Sequence, residues 1–158
     1  MFRVAVIAVG KLKEPWLREG FSEYQKRLSS YCDLSVVEVP EYRLPDDPSP
    51  AQMEKGLAEE GRAILDRVGR TPFAALCIEG KALSSPELAR FLKERQQAAG
   101  GFAFVIGGSF GLAPQVKERA VIRLSLSAMT FPHQLFRVML AEQLYRGFSI
   151  LGGGKYHK

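Results

Sequence analysis

Cysteine is scarce in this chain: 158 residues hold two, Cys32 and Cys77. Two cysteines make neither a disulfide framework nor a metal-ligand cluster. No metal is therefore expected, and the chemistry suits a reduced, cytoplasmic protein. Long hydrophobic runs are absent too. The longest, such as Val4 to Val9, fall far short of the roughly 20 residues that a membrane-spanning helix needs, so no membrane partner is expected. The N-terminal Met-Phe-Arg-Val-Ala-Val-Ile-Ala-Val-Gly sets a basic residue before an apolar stretch, as a secretory signal does. It lacks a convincing cleavage site and leads into Lys11 and Lys13, so it reads as a first strand. No low-complexity tract, linker or internal repeat occurs. Two nucleotide-binding signatures are also missing. There is no G-x-x-x-x-G-K-[ST], and the glycines do not fit G-x-G-x-x-G with an acidic residue about twenty positions on.

What is present fits one soluble domain over residues 1–158. Hydrophobic residues make up 46% and charged residues 25%, enough for a single core without staples. The net charge of +5 favours a polyanionic partner, though by itself only weakly. Phe2 to Val9 is a β-branched, almost wholly apolar run, as a strand buried on both faces should be. Pro15 opens a helix with Trp16, Leu17, Phe21, Tyr24 and Leu28 near helical spacing. A strand over Leu34 to Val39, a proline-rich loop over Pro40 to Pro50 and a helix over Ala51 to Val68 follow. Phe73 to Ile78 is a third strand, ended by Gly80. Ser84-Ser85-Pro86-Glu87 is a helix-start signature, and that helix runs to about Ala98. Phe102 to Ile106, a short helix over Pro114 to Ala120, a strand over Val121 to Leu126 and a helix from Pro132 to about Arg146 complete the pattern. Strands alternating with helices predict an α/β domain with a mostly parallel sheet flanked by helices. Ligands of such sheets bind at the carboxyl ends of the strands, which directs attention to the loops after Ile78, Ile106 and Leu126.

Four stretches there carry possible chemistry. Gly107-Gly108-Ser109-Phe110-Gly111 lets backbone approach a ligand closely, and equally suits a tight turn. Leu126-Ser127-Ala128-Met129-Thr130-Phe131-Pro132 offers small side chains and main-chain groups that suit an adenine, or an ordinary strand-to-helix turn with Thr130 as cap. His133 and Arg137 stand four apart on one face of the last helix, as do Glu142 and Arg146. Taken alone, capping and exposed ion pairing explain these pairs better than function does, and what lifts them is their place directly after a candidate ligand loop. The tail Leu151-Gly-Gly-Gly-Lys-Tyr-His-Lys158 should be loose. Yet it ends in an aromatic, an imidazole and two cations, a set that can stack on a base, titrate near neutrality and hold phosphate.

Taken in order, these pieces resemble a known family. Phe-Val-Ile-Gly-Gly-x-x-Gly-Leu, then Leu-Ser-x-Met-Thr-Phe-Pro-His-Gln-Leu-x-Arg, then Glu-Gln-Leu-Tyr-Arg and a terminal Tyr-His are similar to the 23S ribosomal RNA (pseudouridine-N3)-methyltransferases of the SPOUT, or α/β-knot, class. Val9-Gly10-Lys11 and Ile78-Glu79-Gly80-Lys81 match as well, so the resemblance spans essentially the whole chain. It implies a C-terminal trefoil knot, a rare exception to unknotted folding. It implies S-adenosylmethionine as cofactor, bound by three loops carried here by Leu76, Ile78 and Gly80, by Gly107, Gly108 and Gly111, and by Leu126, Ser127, Ala128, Met129, Thr130, Phe131 and Pro132. It implies a homodimer whose site draws on both subunits, and 23S rRNA in the assembled ribosome as partner. His133, Arg137, Tyr156 and His157 become the residues expected at the reacting base. A SPOUT enzyme for another RNA such as tRNA, and a non-catalytic ribosome-binding factor, are the alternatives. A Rossmann oxidoreductase is a weaker one.

Overall fold

The computed structural model describes residues 1–158. Five strands form one sheet: β1 (Arg3–Val9), β2 (Asp33–Val39), β3 (Phe73–Ala82), β4 (Gly101–Ile106) and β5 (Ile122–Ser125). Their order is β2-β1-β4-β3-β5, and every pairing is parallel. The helices are α1 (Pro15–Leu28), α2 (Pro50–Val68), α3 (Ser85–Ala98), α4 (Pro114–Arg119) and α5 (His133–Leu151).

Alternation along the central strands sorts the helices into two layers. Val4, Val6 and Ala8 of β1, with Phe102 and Phe104 of β4, face Phe21 and Leu28 of α1, Leu88 and Leu92 of α3, and Leu140, Leu144 and Phe148 of α5. Ile7, Val9, Ala103 and Val105 point the other way, onto Ile64 and Val68 of α2 and Val116 of α4. Both faces of β1 and β4 are thus buried, which explains their unbroken apolar sequences. Each buried leucine of α5 contributes about 2 kcal/mol of transfer free energy, so this long helix is held by packing. Ser49 and Ser84 cap α2 and α3 in reciprocal boxes with Gln52 and Glu87.

The ends of β3 and α5 and the state of the tail differ from the sequence reading. β3 does not stop at Gly80 but runs to Ala82, pairing with β5 again after a register shift between Leu76 and Lys81. A Cβ on Gly80 would lie 2.7 Å from the backbone of Arg123 and Leu124. Its glycine therefore permits the close approach of the paired β5 at this irregularity instead of ending the strand. α5 continues through Gly147 to Leu151, because that glycine nests against Leu92 of α3 and Phe148 beyond it is buried. The tail is not loose: Gly154 N–H donates to Ser149 O at 2.8 Å, and the Tyr156 ring packs edge-on against Tyr145 at 4.8 Å. No helix is long and apolar enough to cross a membrane.

Candidate active site

The carboxyl ends of β3, β4 and β5 open onto a cleft of about 610 Å³. Three segments wall it: Leu76 to Glu79 of β3, Ile106 to Leu112 after β4, and Leu124 to Ser127 with Thr130 to Phe136 around the start of α5. The walls are mostly apolar side chains and main chain, a lining suited to a flat heterocycle edged by main-chain hydrogen bonds. Local chemistry shapes each loop. Gly111 N–H donates to Gly108 O at 3.1 Å, and Gly111 sits at φ +84°, a left-handed conformation that favours glycine. Gly107 is forced by space, since a Cβ there would meet Gly111 O at 2.3 Å. In the third loop Ser125 Oγ donates to Ser127 O at 2.9 Å, and Ser127 Oγ accepts from Met129 N–H at 3.0 Å. Phe131 and Phe136 meet edge to face at 5.7 Å at the mouth of the helix.

Most of the residues singled out from the sequence line this cleft: Leu76, Ile78, Gly107, Gly108, Gly111, Leu126, Ser127, Thr130, Phe131, Pro132 and His133. Gly80, Ala128 and Met129 do not. Gly80 lies close against the paired β5, and Met129 points outward with 72% of its surface exposed. Pro132 caps α5 rather than opening it, and no side chain bonds the first turn, Thr130 included.

The four residues expected at the base are separated. His133 is half-buried on the cleft wall. Burial holds its imidazole below the usual histidine value, against the opposing pull of the Glu41 carboxylate, so it is the neutral form at pH 7. Arg137 is only 2% exposed and lies off the wall. Its Nη1 donates to Glu38 Oε2 at 2.7 Å and its Nη2 to Gly10 O at 3.1 Å, tying α5 to the ends of β1 and β2. Tyr156 and His157 lie on their own α5, outside the cleft of the same chain. Tyr156 OH donates to Glu142 Oε1 at 3.3 Å, and Arg146 stacks on its ring while bonding His157 Nδ1 at 3.2 Å. The neighbouring Tyr24 hydroxyl, burial and Glu142 push the Tyr156 phenol up to about 12, so it stays uncharged at neutral pH. Glu142 stands roughly 13 Å along the helix from His133, at about 1.5 Å per residue.

Two charged wall residues escaped the individual reading. Glu79 and Lys117 form an ion pair at the cleft rim, and this pairing holds the Glu79 carboxyl below its ordinary range. Glu79 falls inside the β3 loop picked from the sequence. Lys117 sits 38 positions later, and no local signal joins the two. Cys77 also lines the cleft, its thiol pushed up mainly by burial.

Comparison with known proteins decides the lineage. A family model described as "Predicted SPOUT methyltransferase" matches residues 2–157. This chain belongs to the SPOUT methyltransferases. "Ribosomal RNA large subunit methyltransferase H" of Carboxydothermus hydrogenoformans is 46% identical over 157 residues, covering 98% of this chain and 99% of the relative. The protein of the same description in Pelotomaculum thermopropionicum is 48% identical over 159 residues, covering 99% of both. Among solved structures, a probable methyltransferase from Bordetella pertussis Tohama I superposes with a TM-score of 0.59 at 18% identity, over 93% of this chain and 96% of that one. The tRNA (m1G37) methyltransferase from Aquifex aeolicus gives 0.54 at 13%, over 92% and 69%. Those two structures agree with the SPOUT fold. The sequence relatives extend the likeness over 98–99% of the chain.

Proposed function

We propose that this SPOUT methyltransferase transfers a methyl group from S-adenosylmethionine to N3 of a pseudouridine in a hairpin loop of 23S ribosomal RNA, acting on assembled ribosomes in the cytoplasm as a homodimer. The observation that carries the reading is the single cleft built from all three loops picked out by the sequence. The large-subunit rRNA methyltransferases at 46–48% identity over nearly the full chain support the substrate class. The C-terminal trefoil knot belongs to this reading through the family resemblance.

The cleft fits the cofactor. It has the volume of a small-molecule site, apolar walls for an adenine, and glycine backbone at 107, 108 and 111 along its wall. When bound there, S-adenosylmethionine supplies a methyl group already activated by its sulfonium. The protein must then hold the base nitrogen in line and remove one proton, so positioning supplies most of the rate. Neutral His133, on the wall where the base would enter, is suited to accept the N3 proton. Arg137 is committed to Glu38 and Gly10; its part is to fix the helix start that carries His133. The tail cannot serve the cleft of its own chain from its place on α5. Every residue of α5 is buried or half-buried, and its outer side shows Leu135 and Met139, which suits a helix that meets a second copy. In that arrangement the tail of one subunit serves the other's cleft, with Tyr156 stacked on the target base and His157 as a second group able to accept the proton.

The test is incubation of the protein with methyl-labelled S-adenosylmethionine and unmethylated intact ribosomes, separated subunits or tRNA. Label confined to 23S rRNA of intact ribosomes is expected. Label in tRNA alone overturns the substrate assignment, and no label in any RNA overturns the catalytic one. Deleting Lys155 to Lys158 should abolish transfer while leaving cofactor affinity intact.

A further inference from the structure

Beside the cofactor cleft lies a second hollow of about 790 Å³. The chain leaving β1, the Pro40 to Pro45 segment leaving β2, and the inner face of α2 form its walls. Ser109 and Phe110 close it, and the same two residues line the cofactor cleft, so the hollows share a wall.

Its charges are unequally engaged. Of its carboxylates, Glu38 is paired with Arg137, and Glu60 accepts the Tyr42 N–H at 2.9 Å while burial pushes its carboxyl up. Its three cations, Lys11, Lys13 and Arg43, have no carboxylate within ion-pairing distance. Glu41 is the remaining acid, and it faces His133. The hollow thus presents free cations against two aromatics, Tyr42 and a half-exposed Phe110. Cations that hold a backbone, alternating with rings on which bases stack, are the chemistry of single-stranded nucleic-acid grooves. The core of a protein interface is depleted in lysine, whereas this hollow carries Lys11 and Lys13.

We propose that this hollow is a second RNA subsite, holding the nucleotide next to the one presented to the cofactor cleft, with Lys11 and Arg43 on its phosphate and Phe110 against its base. The proposal rests on the RNA-methyltransferase reading above. It places RNA on the β1 and β2 ends, apart from the α5 surface where the tail of the same chain rests.

The test uses the full-length chain, unmethylated ribosomes, and the double variant Lys11→Ala/Arg43→Ala. Cofactor affinity by calorimetry should match wild type, which certifies the fold and the cleft. The Kd for ribosomes should rise by about tenfold or more, and the slope of log affinity against log salt should shrink by about two, one for each cation removed from the phosphate. Irradiation of the wild-type complex should yield RNA adducts on peptides covering 40–45, a result that needs no variant to fold. Unchanged affinity and slope together with no such adducts overturn the subsite, as do adducts to ribosomal protein in their place. Wild-type protein that binds ribosomes but transfers no methyl group sinks the catalytic reading instead, and the slope and adducts still judge the subsite.

Discussion

Gly107→Ala tests the cofactor cleft most directly. The added methyl carbon would sit 2.3 Å from Gly111 O, 2.6 Å from Gly111 C and 3.0 Å from Leu112 Cγ. Carbon and oxygen in ordinary contact stay about 3.3 Å or more apart, so the loop must open by about 1 Å. The obstacle is backbone, which cannot rotate away as a side-chain tip would. Overpacking of this kind costs about 1–3 kcal/mol. Opening also endangers the bond from Gly111 N–H to Gly108 O, worth about 1 kcal/mol. If the bound state requires the closed loop, about 2–4 kcal/mol of this falls on affinity, which is roughly thirty-fold to several hundred-fold in Kd. Calorimetry with S-adenosylhomocysteine reads the affinity, and urea unfolding reads the fold. Gly111→Ala is the informative control: nothing lies within 4 Å of its Cβ, and only its φ of +84° is offended. That costs about 1–2 kcal/mol, so the affinity loss should be smaller. A Gly107→Ala protein that binds within twofold of wild type, with an unchanged unfolding midpoint, would refute the reasoning.

Other expectations follow from the same geometry. The pH dependence of kcat/KM should show an acid limb below the ordinary histidine value of about 6.5, because burial holds His133 down; the limb should vanish in His133→Asn. The unfolded chain binds the His133 proton more tightly than the folded one, so this residue's contribution to stability is present above pH 6.5 and is lost as pH falls through the lower folded value. Chemical unfolding of wild type and His133→Asn from pH 7 to 5 checks that sign. Arg137→Ala should destabilise by about 2 kcal/mol, discounted because Glu38 keeps access to solvent, and Arg137→Lys should rescue only part since one ammonium cannot replace the two-pronged tie to Glu38 and Gly10. Cys77 should be the only thiol alkylated at neutral pH, slowly, and a bound cofactor analogue should protect it. Cys32 is 1% exposed with its thiol pushed up to about 11, so maleimide labelling read by mass spectrometry separates the two.

The sequence made the sheet and most of the cleft legible for local reasons. β1 and β4 carry unbroken apolar runs because helices cover both faces. Two of the three cleft loops announce themselves through Gly107, Gly108, Gly111 and Pro132, residues whose backbone demands leave traces within a few positions. Other features depend on partners far along the chain. Arg137 reads as a surface companion of His133 until Glu38, 99 positions earlier, is found beside it. Lys117 gains meaning only through Glu79. Gly147 looks like a helix end because its neighbour Leu92 belongs to another helix. Gly80 looks like a strand end because the strand packed close against it lies more than forty residues downstream. The tail's glycines suggested freedom, but Tyr145 and Arg146 give Tyr156 and His157 somewhere to rest.

The short segment Ser109-Phe110, which belongs to both hollows, has a thermodynamic consequence. A ligand that fixes this segment from one side prepares it for the other. The two occupants therefore share a coupling free energy, and it must be reciprocal: by whatever factor the cofactor tightens RNA binding, RNA tightens cofactor binding. If the adenosyl portion shared by the cofactor and its demethylated product rests on this loop, the enzyme holds RNA until that product leaves. Turnover would then be governed by the release step more than by methyl transfer itself.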